Sequence, residues 1–164
     1  MSARPELSGG SVGTCGGGSL YLSAEEKRIL ELNDQARKGR DLEPLWVHPA
    51  LTEAARAHSR GMIGRDYLPH KSYGGTPLVE RLEYFGYTTG AYGSWKVARN
   101  IAWENYSKEA PGDVFEGWMS SPDHRLRILS EDFRQVGVGA STGTYKSYEE
   151  TIVYTVDFGV RRRQ

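Results

Sequence analysis

The sequence has one cysteine, Cys15, among its 164 residues, so no disulfide can close within the chain and the redox compartment stays open. It has no net charge: 21 Lys and Arg stand against 21 Asp and Glu, which leaves no electrostatic footprint for nucleic acid or an anionic membrane. No apolar run approaches the ~18 residues that would span a bilayer, so no transmembrane segment is expected. The start, Met1 to Glu6, shows no hydrophobic signal region, which fits either a cytoplasmic chain or one whose leader has been removed. Standard catalytic signatures are missing as well: there is no His-Glu-x-x-His, Gly-x-Ser-x-Gly, Cys-x-x-Cys or Gly-x-x-x-x-Gly-Lys-Ser/Thr. Motifs alone leave the reaction class undefined.

What is present is an ordinary foldable composition of one domain's length, 38% hydrophobic and 26% charged. Residues 1–19 contain six Gly and few apolar side chains, and are expected to be a flexible tail ahead of a single domain over 20–164. From Ser23 the pattern changes. Ser23 and Glu26 have capping-box spacing, and Ile29, Leu32, Asn33 and Ala36 then recur on one helical stripe up to Gly39. After Pro49, Leu51, Ala54, Ala55, His58 and Met62 share a second helical face, and Thr76-Pro77 opens a third helix that Gly86 closes. Arg99 to Glu104 reads as a short buried strand. Helices follow from Pro111 to Met119 and from Pro122, with Ser121 as cap and Leu126, Ile128 and Leu129 as the apolar side of the second. The remainder has period two through Val136, Val138 and Ala140, then Ile152, Tyr154, Val156 and Phe158, which is a hairpin of two long strands. Helices first and strands mostly last predict an α+β layered domain with an antiparallel sheet. Arg161, Arg162 and Arg163 read as a solvated terminus.

Four histidines bound the imidazole chemistry. His48 reads as a surface loop residue and His58 as a hydrogen-bonded core histidine on an apolar helix face. His70 falls in a Gly- and Pro-bearing loop, where functional groups concentrate. His124 opens a helix, where the dipole disfavours imidazolium and favours a neutral ring.

In order along the chain come Leu32-Asn33-x-x-Arg37, Pro44-Leu45-Trp46 ahead of Pro49-Ala50-Leu51, Ala54 to Ser59, His70-Lys71-Ser72, Arg81-Leu82 with Gly86-Tyr87, and Asn100-Ile101-Ala102. They continue with Trp118-Met119-x-Ser121-Pro122-x-His124-Arg125-x-x-Ile128-Leu129, Phe133-x-x-Val136-Gly137-Val138-Gly139, and Asp157-Phe158-Gly159. Over residues 24–159 this series resembles the CAP superfamily (cysteine-rich secretory, antigen-five and pathogenesis-related-one proteins), and within it the disulfide-free bacterial SCP-like branch. The resemblance implies a three-layer α-β-α sandwich with a central antiparallel sheet, and an extracellular or cell-envelope location.

It also implies a cleft lined by two histidines and two acids, which in some members holds a divalent metal. The histidines carry over to His70 and His124, with Ser72 and Ser121 beside them and His58, Asn100 and Trp118 in structural roles. The acids do not carry over. Arg99 stands where relatives keep Glu, Ser121 falls near the second acid's place, and Arg127 replaces the usual Asn after His-Arg-x. At an effective dielectric of 20, a unit charge about 4 Å from another is worth roughly 4 kcal/mol, so an Arg in place of Glu turns attraction for a metal into repulsion. No metal and no cofactor is therefore expected. Two roles stay open for Arg99: a donor fork for a carboxylate, sulfate or phosphate, or a pair with an acid such as Glu116.

The function this implies is a non-catalytic binding module, monomeric, holding a small, anionic or lipid-like ligand in a His-lined cleft. No complete catalytic constellation is visible. The alternatives are a protease-like hydrolase using His70 and His124, and a structural protein of the cell envelope or spore surface.

Overall fold

The computed structural model of the chain describes residues 9–65 and 76–163. Local chemistry sets the helices. Helix α1 (Ala24–Lys38) starts on the capping box, with the Glu26 amide donating to Ser23 Oγ at 3.2 Å and the Ser23 amide donating to Glu26 Oε1 at 2.9 Å. Gly39 ends it. Helix α2 (Pro49–Arg65) is capped by His48, whose Nδ1 accepts the Ala50 amide at 3.1 Å. Helix α3 (Leu78–Tyr84) begins one residue later than the sequence suggests, with Pro77 as its cap. Helices α4 (Ala110–Met119) and α5 (Pro122–Ile128) are separated by two serines, Ser120 and Ser121.

The strands are β1 (Gly10–Gly13), β2 (Ser19–Leu22), β3 (Trp46–Val47), β4 (Ser94–Asn105), β5 (Gln135–Tyr145) and β6 (Tyr148–Arg162). The last four form one sheet in the order β3-β5-β6-β4, antiparallel except for the short parallel pairing of β3 with β5. Strand parity then assigns the layers. Even positions such as Val136, Val138, Ile152, Tyr154 and Val156 pack against α1, α4 and α5; odd positions such as Val97, Ile101 and Val153 pack against α2 and α3. The result is the α-β-α sandwich, with β6 buried on both faces from Thr151 to Val160.

Two guanidinium groups fasten the layers. Arg37, fully buried, donates through Nη1 to the carbonyls of Ile128 and Ser130 and through Nε to that of Glu43, which ties α1 to the end of α5. Arg56 on α2 grips Glu26 on α1 through both Nε and Nη2, at 3.0 and 2.9 Å, and Glu26 also accepts the Ala140 amide. One carboxylate thus joins two helices and a strand.

Several expectations need correcting. The segment expected to be a tail is ordered from Gly10: β1 and β2 form a hairpin, and the Cys15 amide donates to the Val47 carbonyl at 3.0 Å. Gly17, at φ 82°, makes the turn possible, and Leu22 and partly buried Val12 and Leu20 supply the apolar contact that composition alone understated. Strand β4 spans twelve residues instead of six because its partner β6 runs alongside it throughout. Leu126 is 71% exposed, so α5 buries Ile128 without it. Arg161 does not trail into solvent: its guanidinium lies 4.0 Å from the Tyr87 ring centre and 4.6 Å from that of Tyr92.

Helix α2 meets β5 backbone to backbone. A Cβ at Gly137 would collide with the Leu51 and Thr52 main chain, and one at Gly139 with that of Ala55 and Arg56. Gly139→Ala should therefore cost about 3 kcal/mol or more, read as a lower urea midpoint at unchanged slope, whereas Gly117→Ala on an open face of α4 should leave the midpoint in place or raise it.

Candidate functional site

Residues Arg99, Asn100 and Ile101 lie at the centre of β4, the edge strand whose other neighbours include α4 and α5. Being successive on a strand, they face alternately. Asn100 points to the α5 side, where its Nδ2 donates to the His124 carbonyl at 3.1 Å and its Oδ1 accepts from Arg127 Nη1 at 3.3 Å. The Trp118 indole donates to the Ile101 carbonyl at 3.2 Å and its ring lies nearly parallel to that of His124, 6.5 Å between centres. These bonds fasten the start of α5 to the strand. The structural roles expected of Asn100 and Trp118 have that physical content.

His124 is the third residue of α5, directly over its cap. Ser121 Oγ sits 2.9 Å from His124 Nδ1, so the cap hydroxyl serves the ring and makes no side-chain bond to the helix backbone. Burial pushes the imidazole below its ordinary range, Arg127 pushes it further, and Asp123 opposes them. The ring is thus held neutral at pH 7. Arg127, half-buried one turn along, is the residue that sequence reasoning noted only as a departure; its i+3 spacing from His124 is the signal that it shares the ring's surroundings.

Arg99 faces the other way, toward the α2 layer. Directly opposite it in the β4–β6 ladder is Asp157, and the two form a double hydrogen bond, Nε to Oδ1 at 2.6 Å and Nη2 to Oδ2 at 2.9 Å, with both side chains fully buried. The acid it grips is Asp157, where the sequence suggested Glu116, which is exposed on α4. Burial pushes the Asp157 carboxyl upward, and Arg99, as charge and as donor, pulls against it. A signal for this partner was available: Asp157 is the one charge in a run from Ile152 to Val160 that has to be buried, and a buried charge demands a counter-charge. The charge at position 99 is therefore compensated internally.

His70 and Ser72 lie outside the described residues. His58 is buried on α2 as expected, 1% exposed, beside Ser59, whose hydroxyl bonds to the Gly139 carbonyl and to Thr155. His48, read as a surface residue, is half-buried: it caps α2, meets the Tyr87 ring edge-on, and has its Nε2 3.2 Å from Arg161. With Nδ1 accepting the Ala50 amide, a second ring proton has no place there, and burial with the nearby Arg161 charge pulls its pKa down to about 4. Glu104, of opposite parity to Arg99, caps the Asn105 amide.

The divalent metal that the family resemblance brings up can be tested on the donors. Among the described residues no three His, Cys, Asp or Glu side chains converge, the position-99 group is a guanidinium already neutralised, and the cation beside His124 is Arg127. Taken over the described residues alone, which exclude His70, this donor set does not fit a divalent cation.

Comparison with known proteins places this geometry. The model of the cysteine-rich secretory protein (CAP) family matches residues 30–158. The uncharacterized protein YkwD of Bacillus subtilis is 33% identical over 120 residues, covering 72% of this chain and 43% of that protein. The chain spans less than half the length of the curated relatives it matches. Among solved structures, an outer surface protein of Borrelia burgdorferi superposes with a TM-score of 0.68 at 18% identity, covering 94% of this chain and 99% of that one. An extracellular SCP-domain protein of Bacillus anthracis gives 0.66 at 22%, covering 90% and 47%. At those identities the likeness shows the fold.

Two outcomes are expected. Arg99→Met alone should destabilise by about 3 kcal/mol by stranding Asp157, while Arg99→Met with Asp157→Leu should recover most of that loss, read by urea unfolding of the four members of the cycle. Both histidines have depressed folded pKa values; for His48, between the ordinary value of 6.5 and about 4, the unfolded chain binds a proton that the folded chain refuses, and His124 acts in the same direction. Stability should be complete above pH 6.5 and fall as pH drops through that window. His48→Gln should flatten the fall, and Arg127→Ala should raise the His124 pKa seen by NMR.

Proposed function

Because the chain belongs to the cysteine-rich secretory protein (CAP) family, we propose that it is a non-catalytic SCP-domain binding module that works outside the cytoplasm and takes a small, anionic or lipid-like ligand by its head group at His124, Ser121 and Arg127. The extracytoplasmic placing is supported by the family and by the extracellular SCP-domain protein of similar fold; no helix among the described residues is long and apolar enough to cross a membrane. His70 and Ser72, as loop neighbours implied by the family resemblance, belong to the same proposal.

The observation that carries the reading is the exchange of partners around His124. Its ring is bonded to a serine hydroxyl and the stronger charge acting on it is a guanidinium. A general base needs an orienting acid to fix its tautomer and stabilise the imidazolium it becomes, and a neighbouring cation does the opposite. The same surroundings suit an anion: Arg127 supplies charge and a donor fork, while the bonded Ser121–His124 pair supplies one further donor, Nε2–H when the hydroxyl donates to Nδ1 and the hydroxyl when Nδ1 carries the ring proton. Arg99 adds nothing to this directly, since Asp157 satisfies it.

The test is a calorimetric titration of the full chain with dodecyl phosphate and, separately, with zinc. Dodecyl phosphate should bind saturably and lose about tenfold in affinity on Arg127→Ala, the worth of one charge-assisted hydrogen bond, while zinc should give no saturable heat in the micromolar range. Micromolar zinc binding abolished by His70→Ala, or peptide cleavage abolished by His124→Ala, would sink the proposal.

A further inference from the structure

At the opposite edge of the sheet from His124, two cavities of about 420 and 340 Å³ adjoin along the second half of α1 and share Asp34 and Pro44 in their linings. Each has the size of a small-molecule site. The larger adds Asp41 and Glu43 against a single Lys38; the smaller is walled by Val12, Leu30 and Trp46 and has no charged group except Asp34. The Trp46 ring is 62% exposed although its strand is pinned on both sides, by β5 and by the Thr14 bridge. A large aromatic side chain on a pinned strand thus lines the same cavity as an acid.

Asp34, which lines both cavities, is a group that the fold leaves incomplete. Its Oδ1 is buried and has no hydrogen-bond partner, an arrangement that native proteins seldom tolerate without a ligand, water or ion to relieve it. Burial is also the largest influence on its carboxyl and raises its pKa, with the Leu45 amide and Arg37 offsetting part of the push. Arg37 does not pair with Asp34 as Arg99 pairs with Asp157: its Nε and Nη1 donate to the carbonyls of Glu43, Ile128 and Ser130. Asp34 sits between a cavity with three acids and one lysine and a cavity with apolar walls. That combination selects a cation joined to an apolar body, with the aromatic face adding attraction for the charge.

We propose that this groove binds an aliphatic primary ammonium compound, its charged end paired with Asp34 and its stem laid against Trp46, Val12 and Leu30. The site is independent of His124, so the two proposals fail separately.

The experiment is an NMR titration of the full chain with n-hexylammonium, with hexanol and hexanoate as comparators. Hexylammonium should shift the Trp46 indole and Leu45 amide resonances saturably, hexanol should bind at least about tenfold more weakly, and hexanoate should not bind. Asp34→Asn should remove the advantage of hexylammonium over hexanol, and Trp46→Ala should weaken both. The comparison of the three probes in the unmodified chain decides the matter even where a variant fails to fold. Equal affinity for hexylammonium and hexanol, an unchanged preference in Asp34→Asn, or no saturable shift at tens of millimolar would each overturn the proposal.

Discussion

The whole sandwich rests on the approach of α2 to β5, where helix main chain lies directly on strand main chain at Gly137 and Gly139. That closeness fixes the height of one outer layer. It lets the Ser59 hydroxyl reach the Gly139 carbonyl and Thr155 across the gap, and it brings Arg56 far enough over the sheet to grip Glu26 in the capping box of α1. A side chain at either glycine would lift the helix, and each of those bonds would lengthen together. Packing at this contact is therefore the condition for the polar network around it, and only secondarily a gain in buried area.

A chain without disulfides needs other long-range fasteners, and here the guanidinium group is used three times. Arg37 collects carbonyls from the end of α5 and from the loop after α1; Arg56 joins α1 to α2; Arg99 joins β4 to β6 within the interior. Each offers several donors in one plane, so one side chain satisfies groups from different elements. The energy of each depends on completeness. A buried guanidinium with all its partners holds a unique arrangement, and one that loses a partner becomes a liability larger than the bond it made.

Much of this was legible from local chemistry. Ser23 with Glu26, Gly39, Pro49 and the Pro122 start bound their helices through interactions three or four residues apart, which a sequence displays directly, and the period-two run from Ile152 to Phe158 displays β6 in the same way. The order of motifs from Leu32 to Gly159 pointed to the layered fold. Less legible was whatever depended on register. The β1–β2 hairpin is written in glycines that composition reads as slack, and its order comes from docking on β3. Arg99 and Asp157 are 58 residues apart, so their meeting is decided by how β4 slides along β6, and no short window contains both. The result was a guanidinium assigned to an open cleft when its counter-charge was waiting across the ladder. Around His124 the same limit applied: the ring's place was clear from the helix start, but the influence of Arg127 on it required α5 to be seated against Asn100.

The pairing of positions 99 and 157 also constrains how such a chain could have arisen. Replacing an acid by a base at one of two facing interior positions passes through a molecule with two like charges, or one lone charge, sealed from solvent, and such an intermediate is selected against before any ligand is considered. A change at either position is therefore tied to a change at the other, and only a pair of opposite charges or a pair of uncharged side chains leaves that interior complete.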